Sequence, residues 1–102
     1  MSPLFARVAT YRIESEHTDR AVEAFTAALE RIRGLEGFVD GVVLVAPEDS
    51  KVLSVTYWDS RRAMEASSVA ASRARTDAAR AADGEVESSC EYGVALRLGP
   101  DR

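Results

Sequence analysis

The hydrophobic period changes five times along the chain, and each change marks a predicted element. Residues Phe5–Glu14 are rich in aromatic and β-branched side chains and end at a polar stretch, which is typical of a strand. A helix is predicted from about Asp19 to Arg33, with Thr18 as N-cap and Gly34 after its end. Its apolar stripe recurs every three or four positions and consists of Val22, Phe25, Leu29 and Ile32.

Two further strands form the middle of the chain. Phe38–Ala46 and Lys51–Trp58 are joined by the turn-forming residues Pro47–Ser50, and so short a connection predicts an antiparallel hairpin. Gly41 inside the second strand indicates a bulge or a close approach of another element.

The last third of the chain predicts a small-residue helix and a fourth strand. Asp59 or Ser60 would cap a helix that reaches Ala82 and that could be broken near Ser67–Ser72. Its weak stripe consists of Met64, Ala71, Ala74, Ala78 and Ala82. Such a surface either approaches the sheet closely or leaves a cavity beneath it, and the pattern favours neither. The alternating segment Val86–Leu98 predicts the last strand, with Cys90 as a small buried residue on its apolar face.

The order β-α-β-β-α-β predicts a ferredoxin-like α+β fold in a single domain over residues 1–102. Its four-stranded antiparallel sheet would carry both helices on one face. The third strand nevertheless has apolar residues on both faces, with Leu53, Val55 and Tyr57 alternating with Val52 and Trp58. A sheet with a second apolar face needs a second partner, and we expect a homodimer.

Composition excludes several classes of function. The 102 residues are 46% hydrophobic, carry a formal charge of −4 and include one His and one Cys. One His and one Cys cannot form a His/Cys metal site, a redox pair of cysteines or an intrachain disulfide, so we expect no metal. The acidic balance disfavours nucleic acid, and no apolar run could span a membrane. No secretory signal is visible, which makes a cytoplasmic protein the expectation.

Candidate chemistry rests on aromatic and arginine side chains. Trp58 ends the third strand one residue before a helix cap, where its N–H could reach a polar group or a ligand. A cavity under the small-residue helix would be lined by Trp58, Tyr11 and Tyr92. Arg73 or Arg75 could turn inward and hold an anionic substrate oxygen. His17, in a polar connector, is read as a solvated surface residue.

Two segments resemble the antibiotic biosynthesis monooxygenase family. Leu35-Glu36-Gly37-Phe38-Val39-Asp40-Gly41 resembles that family's start of strand two. Val55-Thr56-Tyr57-Trp58-Asp59-Ser60, followed by Arg62-Ala63-Met64, resembles its junction between strand three and helix two. The resemblance implies a dimeric α+β barrel, two ferredoxin-like units joined sheet to sheet, with a pocket between the sheet and the helices of each subunit.

The resemblance also implies two chemistries. Some members oxidise polyketide-type phenols or hydroquinones with O₂ and no metal or flavin, and others degrade haem with a first-strand Asn, the junction Trp and a helix-two His. The Trp position falls on Trp58 and the Asn position on or near Tyr11, but the second helix has no His, which disfavours haem. We therefore expect cofactor-independent oxidation of a small aromatic substrate by O₂, with Trp58 and Tyr11 catalytic. The expected substrate-binding residues are Tyr92, Phe25, Phe38, Thr56, Arg75 and Arg73.

Two alternatives stay open on the sequence. The chain could be a non-catalytic dimer that binds a small ligand, because no acid or base is unambiguous in the expected pocket. It could also be an isomerase or lactone-processing enzyme, which would need a carboxylate near Tyr11. Glu14, Asp40 and Glu91 fall on predicted strands, but their alternation mostly points them away from the pocket.

Overall fold

A computed structural model describes residues 4–100. Its helices and strands follow in the order β1 (Phe5–Arg12), α1 (Thr18–Ile32), β2 (Phe38–Ala46), β3 (Lys51–Trp58), α2 (Arg61–Ala66), α3 (Ser68–Ala81) and β4 (Glu85–Gly93). The four strands form one antiparallel sheet in the order β2-β3-β1-β4, and the helices pack on one face. This is the predicted ferredoxin-like arrangement, which is confirmed. No helix of the described chain is long and apolar enough to cross a membrane.

The α1 helix buries its predicted stripe only in part. Phe25 and Ile32 are buried, whereas Val22 is exposed, and the inner face is completed by Ala21 and Ala28. Thr18 is the first helical residue and not the N-cap that the sequence predicted. Its hydroxyl donates to the carbonyl of Ser15 at 2.9 Å, because a short 3₁₀ turn precedes the helix.

The second helical segment is broken at one residue. Ser67 separates α2 from α3, within the region where a break was anticipated. Ser60 is the N-cap, with its Oγ accepting from the Ala63 N–H at 3.0 Å. All five residues of the predicted weak stripe are buried, namely Met64, Ala71, Ala74, Ala78 and Ala82. The small residues therefore bring the helices close to the core, and this answers the question that the sequence left open.

Close approach also explains the glycine inside β2. A Cβ on Gly41 would lie 3.2 Å from the Phe38 ring and 3.3 Å from a Leu29 methyl group. The register of β2 against β3 shifts between Phe38 and Asp40, so a bulge is present as well. The sequence predicted either a bulge or a close approach at Gly41, and this part of β2 has both.

The β4 strand departs from its prediction in length and in exposure. It ends at Gly93, and residues 94–100 continue without regular structure. Cys90 is exposed, so its prediction as a buried residue was wrong. The register pairs Cys90 with Val8 and Tyr92 with Ala6, on the face of the sheet that the helices do not cover.

That uncovered face, here called the open face, is largely apolar. Residues paired across the strands point to the same side, and on the open face they include Ala6, Val8, Val42, Leu44, Leu53, Val55, Tyr57, Cys90 and Tyr92. Leu44 is 51% exposed there, and the three residues of β3 are half-buried. Both faces of β3 are therefore apolar, as the sequence indicated.

Candidate functional site

The helix-facing side of β1 carries a buried phenol. Phe5, Arg7, Ala9 and Tyr11 alternate on this side of the strand, and Tyr11 is fully buried. The Tyr11 hydroxyl shares a 2.7 Å hydrogen bond with the Ser54 Oγ, and its ring packs on Phe25 with centroids 4.4 Å apart. Sequence reasoning placed Tyr11 and Phe25 in one site, and the structure brings them into contact.

Trp58 is the last residue of β3 and lies on the same helix-facing side of the sheet as Tyr11. It is fully buried, and its Nε1–H donates to the Thr56 Oγ1 at 3.0 Å. Phe38 meets the indole edge-on, with centroids 5.5 Å apart and planes at 87°. The structure therefore groups Trp58, Thr56 and Phe38. The indole N–H already has a partner and would have to exchange it to bind a ligand.

A buried arginine, Arg7, lies beside Trp58, and sequence reasoning missed it. Arg7 is 3% exposed, and its guanidinium carbon lies 5.9 Å from the Trp58 ring centre. Its Nη2 donates to the Met64 carbonyl at 2.6 Å and to the Glu91 Oε2 at 2.9 Å. Two further bonds of 3.2 Å go to the hydroxyls of Ser67 and Ser68, at the break between α2 and α3.

Glu91 was also placed wrongly by the sequence analysis, on the side away from the site. The register pairs it with Arg7, so its side chain lies on the helix-facing side of β4 and not away from the site. Its carboxylate also accepts from the Arg7 Nε at 3.3 Å. The side chain remains 36% exposed, because the helices cover β1 and leave β4 open.

Arg75 is the arginine of α3 that turns inward. It is 9% exposed, and its Nη2 donates to the Ser89 Oγ at a long 3.4 Å. Its Nε has no hydrogen-bond partner within residues 4–100. Burial lowers the pKa of this guanidinium below its ordinary value, an effect that the nearby Tyr11 partly opposes.

Burial and two neighbouring residues, Ser54 and Arg75, shift the pKa of the Tyr11 phenol. Burial raises the pKa of Tyr11 above its ordinary value, whereas the Ser54 hydrogen bond and the Arg75 charge act against the rise. Tyr11 is therefore a neutral hydrogen-bonding group at neutral pH. A buried neutral phenol beside a guanidinium suits the binding of an oxyanion, because both groups offer hydrogen atoms to it.

Two predicted site residues lie elsewhere. Tyr92 is 54% exposed on the open face, so the prediction that it lines the pocket with Tyr11 was wrong. Arg73 is exposed on α3, because two residues of helix rotate its side chain about 200° away from that of Arg75. Within residues 4–100, no three His, Cys, Asp or Glu side chains are grouped so that they could hold a metal ion.

Comparison with known proteins identifies related sequences and folds. The family model described as antibiotic biosynthesis monooxygenase matches residues 4–81. The uncharacterized protein Rv2557 of Mycobacterium tuberculosis is 28% identical over 91 residues, which cover 88% of this chain and 41% of that protein. The chain thus spans about two fifths (41%) of the length of the curated relatives it matches.

Two solved structures share the fold. SnoaB, a cofactor-independent oxygenase from Streptomyces nogalater, aligns with a TM-score of 0.63 at 13% identity, over 96% of this chain and 97% of its own. The heme-degrading protein Rv3592 of M. tuberculosis aligns with a TM-score of 0.70 at 16% identity, over 98% of this chain and 100% of its own. At such identities the likeness extends to the fold alone.

Proposed function

The chain belongs to the antibiotic biosynthesis monooxygenase family, and from this premise we propose that it oxidises a small aromatic alcohol with O₂ without a metal or flavin. One observation carries the proposal. Tyr11, Trp58 and the inward Arg75 are buried in one layer between the sheet and the helices, which supplies a phenol, an indole and a guanidinium to a planar substrate that enters this layer. SnoaB, described as a cofactor-independent oxygenase, has the same fold.

The proposed oxidation requires few functions of the protein itself. An electron-rich phenol becomes a good one-electron donor to O₂ once it is an anion, and recombination then places oxygen on the ring. For an activated ring CH₂ the balance is CH₂ + O₂ → C=O + H₂O, so that O₂ is the only oxidant. The protein has to stabilise the substrate anion and exclude water.

Named residues supply these functions in the proposal. Tyr11 and Arg75 would donate hydrogen bonds to the substrate oxygen, and Arg75 would also offset its charge. Trp58 would stack on the ring system, with Phe25 and Phe38 holding Tyr11 and Trp58 in place. Thr56 orients the indole through its hydroxyl. Because Tyr11 and Trp58 are fully buried, substrate binding requires the helices to move away from the sheet.

The experiment is turnover of a tricyclic anthrone-like phenol under air, followed by product absorbance and O₂ consumption. Tyr11→Phe should lower kcat at least about ten-fold, the effect of losing one hydrogen bond to a developing charge. Trp58→Phe should lower kcat as well, because the smaller ring offers less surface for stacking on the substrate. Arg73→Gln is the matched control, since its side chain lies on the outer side of α3. Unchanged rates in both aromatic variants would refute the assignment.

A second candidate is non-catalytic binding of a small ligand, which is favoured because neither the Tyr11 hydroxyl, whose pKa burial raises, nor the Trp58 N–H is a base at neutral pH. Tyr11 and Trp58 have no exposed surface, and the hydrogen bonds of the Trp58 N–H and the Tyr11 hydroxyl are already made. Tight binding of the tricyclic phenol without O₂ consumption would support this function. Haem degradation is disfavoured, because α2 and α3 contain no His and His17 precedes α1.

The proposed working unit is a homodimer of single-domain chains joined through the open face. Val42, Leu44 and Tyr92 are large apolar residues that are exposed there. A second copy of the same sheet would cover them symmetrically, residue against residue. We expect sedimentation of the protein as a dimer at micromolar concentration.

A further inference from the structure

Two guanidinium groups and one carboxylate meet between α3, β1 and β4, so this cluster has an excess of positive charge. Arg7 and Arg75 are both buried, and the Arg7–Glu91 ion pair of 2.9 Å neutralises one of them. No carboxylate within residues 4–100 lies within ion-pair distance of Arg75. Buried charges are ordinarily paired, because removal from water costs several kcal/mol per ion. The second guanidinium thus lacks an anion.

The hydrogen bonds of Arg75 lead to the same conclusion. Its one long bond goes to Ser89, and its buried Nε–H has no partner in the described chain. A buried donor without an acceptor is rare and indicates a missing water, ion or ligand. The planar fork of a guanidinium fits the two oxygens of a carboxylate, or one phenolate oxygen approached from its edge.

The cluster can be reached from the side of β4. Every residue of β4 is exposed, including Ser89 and Glu91, whose side chains face the helices. A groove of about 310 Å³ also runs between α3 and β4, the two elements that carry Arg75 and Ser89. It is lined by Thr76, Ala79, Arg80, Gly84, Glu85 and Val86. The groove itself includes neither Arg7 nor Arg75, but the exposed Ser89 and Glu91, which bond Arg75 and Arg7, leave the β4 side of the cluster open to a ligand.

We infer that Arg7 and Arg75 form a binding site for an aromatic monoanion, a carboxylate or a phenolate, and that Glu91 occupies part of this site in the free protein. Glu91 accepts both of its bonds from Arg7 through the same oxygen, Oε2. Because its side chain is already 36% exposed, Glu91 can turn into water when a ligand anion takes its place beside the buried Arg7. An anionic ligand oxygen would replace it on Arg7 and reach Arg75 at the same time.

This inference deepens the proposed function, because it names the charge of the substrate, but it concerns binding alone. The probes are benzoate and its neutral isostere benzamide, titrated calorimetrically into the full chain. Benzoate should bind more tightly than benzamide. Arg75→Gln should weaken benzoate about ten-fold or more, the usual effect of losing hydrogen bonds from a charged group, and should leave benzamide unchanged.

Glu91→Gln gives the more specific result. A half-exposed ion pair contributes at most about 1 kcal/mol, so removing this competitor should tighten benzoate by up to about five-fold. Glu87→Gln removes the same charge from the same strand and should change the affinity little. Arg73→Gln is the corresponding control for Arg75, on the opposite side of α3.

Several results would overturn the inference. These are equal affinities for benzoate and benzamide, weaker benzoate binding in Glu91→Gln, or an equal loss in Arg73→Gln and Arg75→Gln. Should Arg75→Gln fail to fold by circular dichroism, Arg75→Lys keeps the charge, removes the fork and should still weaken benzoate. Benzoate binding without oxidation of any phenol would refute the proposed function and leave this site standing.

Discussion

Replacement of Arg7 by Met tests whether the buried guanidinium ties the broken helix to the sheet. Met is apolar and unbranched, so it can fill most of the vacated volume. The substitution removes the bonds to Met64, Ser67 and Ser68 together with the ion pair to Glu91. We expect a lower free energy of unfolding. The size of the decrease depends on whether the former partners of Arg7 find other hydrogen bonds.

In Arg7→Met, these partners lose less than the partner of a fully buried ion pair would, because they keep or can form other hydrogen bonds. The Met64 carbonyl still accepts from the Ser67 Oγ at 2.7 Å, and Glu91 can turn into water. Breaking a fully buried pair costs about 3–5 kcal/mol, whereas losing a hydrogen bond to a charged group costs about 1.5–3 kcal/mol. The expected loss is therefore about 1–3 kcal/mol, which for a domain of this size lowers Tm by roughly 5–20 °C.

The chain contains a reporter at the right place. Trp58 is its single tryptophan, and the Arg7 guanidinium lies 5.9 Å from that ring. Urea unfolding followed by Trp58 fluorescence and by far-ultraviolet circular dichroism should give the same midpoint at one fixed protein concentration. Ser67→Ala alone and combined with Arg7→Met completes a double-mutant cycle, whose coupling should be at least about 0.5 kcal/mol.

A destabilisation below about 0.5 kcal/mol, typical of a surface substitution, would refute the role of Arg7 as a tie. A coupling near zero would mean that the bond to Ser67 contributes nothing. Thr26→Ala serves as the control for the serine variant, because the Thr26 hydroxyl bonds only within exposed α1. It should leave the Arg7 effect unchanged.

Three more perturbations test other parts of the structure. On the open face, Leu44→Glu should convert the expected dimer to a monomer in sedimentation velocity, whereas Val69→Glu, at an exposed position of α3, should leave it a dimer. Because burial raises the pKa of Tyr11, the unfolded chain loses this proton first, so stability should fall as pH rises above about 10. Urea midpoints measured from pH 8 to pH 11 should show a smaller fall in Tyr11→Phe, and an identical fall would contradict the burial argument. Ser60→Ala removes the bond to the Ala63 N–H and should cost about 1 kcal/mol by thermal unfolding, with no cost expected if water replaces the cap fully.

The fold could be predicted because its signals are local. The order of the elements, the Ser60 cap and the small-residue stripe of α3 all follow from short-range periodicity, and the structure confirms them. The Thr18 cap failed for a reason that is also local. A 3₁₀ turn before α1 brings Thr18 into the helix, and its hydroxyl then bonds backward to Ser15.

The site was harder to predict, because strand alternation separates two faces without saying which one meets the helices. In β4, Cys90 and Tyr92 were predicted on the inner side but lie on the open face, and Glu91 lies on the inner side. A register shift opposite Thr10 and Tyr11 puts Val86, from the same apolar series, on the inner side. The alternation in β4 is clear, with the polar Ser89 and Glu91 opposite the apolar side, but it could not show which side meets the helices, because the open face of this sheet is apolar as well. The fourth strand could be assigned only from its pairing with β1.

Two residues did carry a usable signal. Arg7 stands two positions from Ala9 and four from Tyr11, so the alternation that placed Tyr11 inside places Arg7 there as well. Arg75 follows Ala71 by four positions and precedes Ala78 by three, which puts it on the buried side of α3. A charged residue at a core position of a strand or helix was thus the indication of polar chemistry in the core.

Because β4 lies at the edge of the sheet, its glutamates also affect whether the protein aggregates. An outer strand has unpaired backbone N–H and C=O groups, which can recruit a strand from another molecule and start aggregation. The negative side chains of Glu85, Glu87 and Glu91 oppose such pairing by repulsion between identical edges. Glu91 would then both occupy the arginine site and keep the protein soluble. A sequence under selection for tighter anion binding at this site would have to protect the edge by other means.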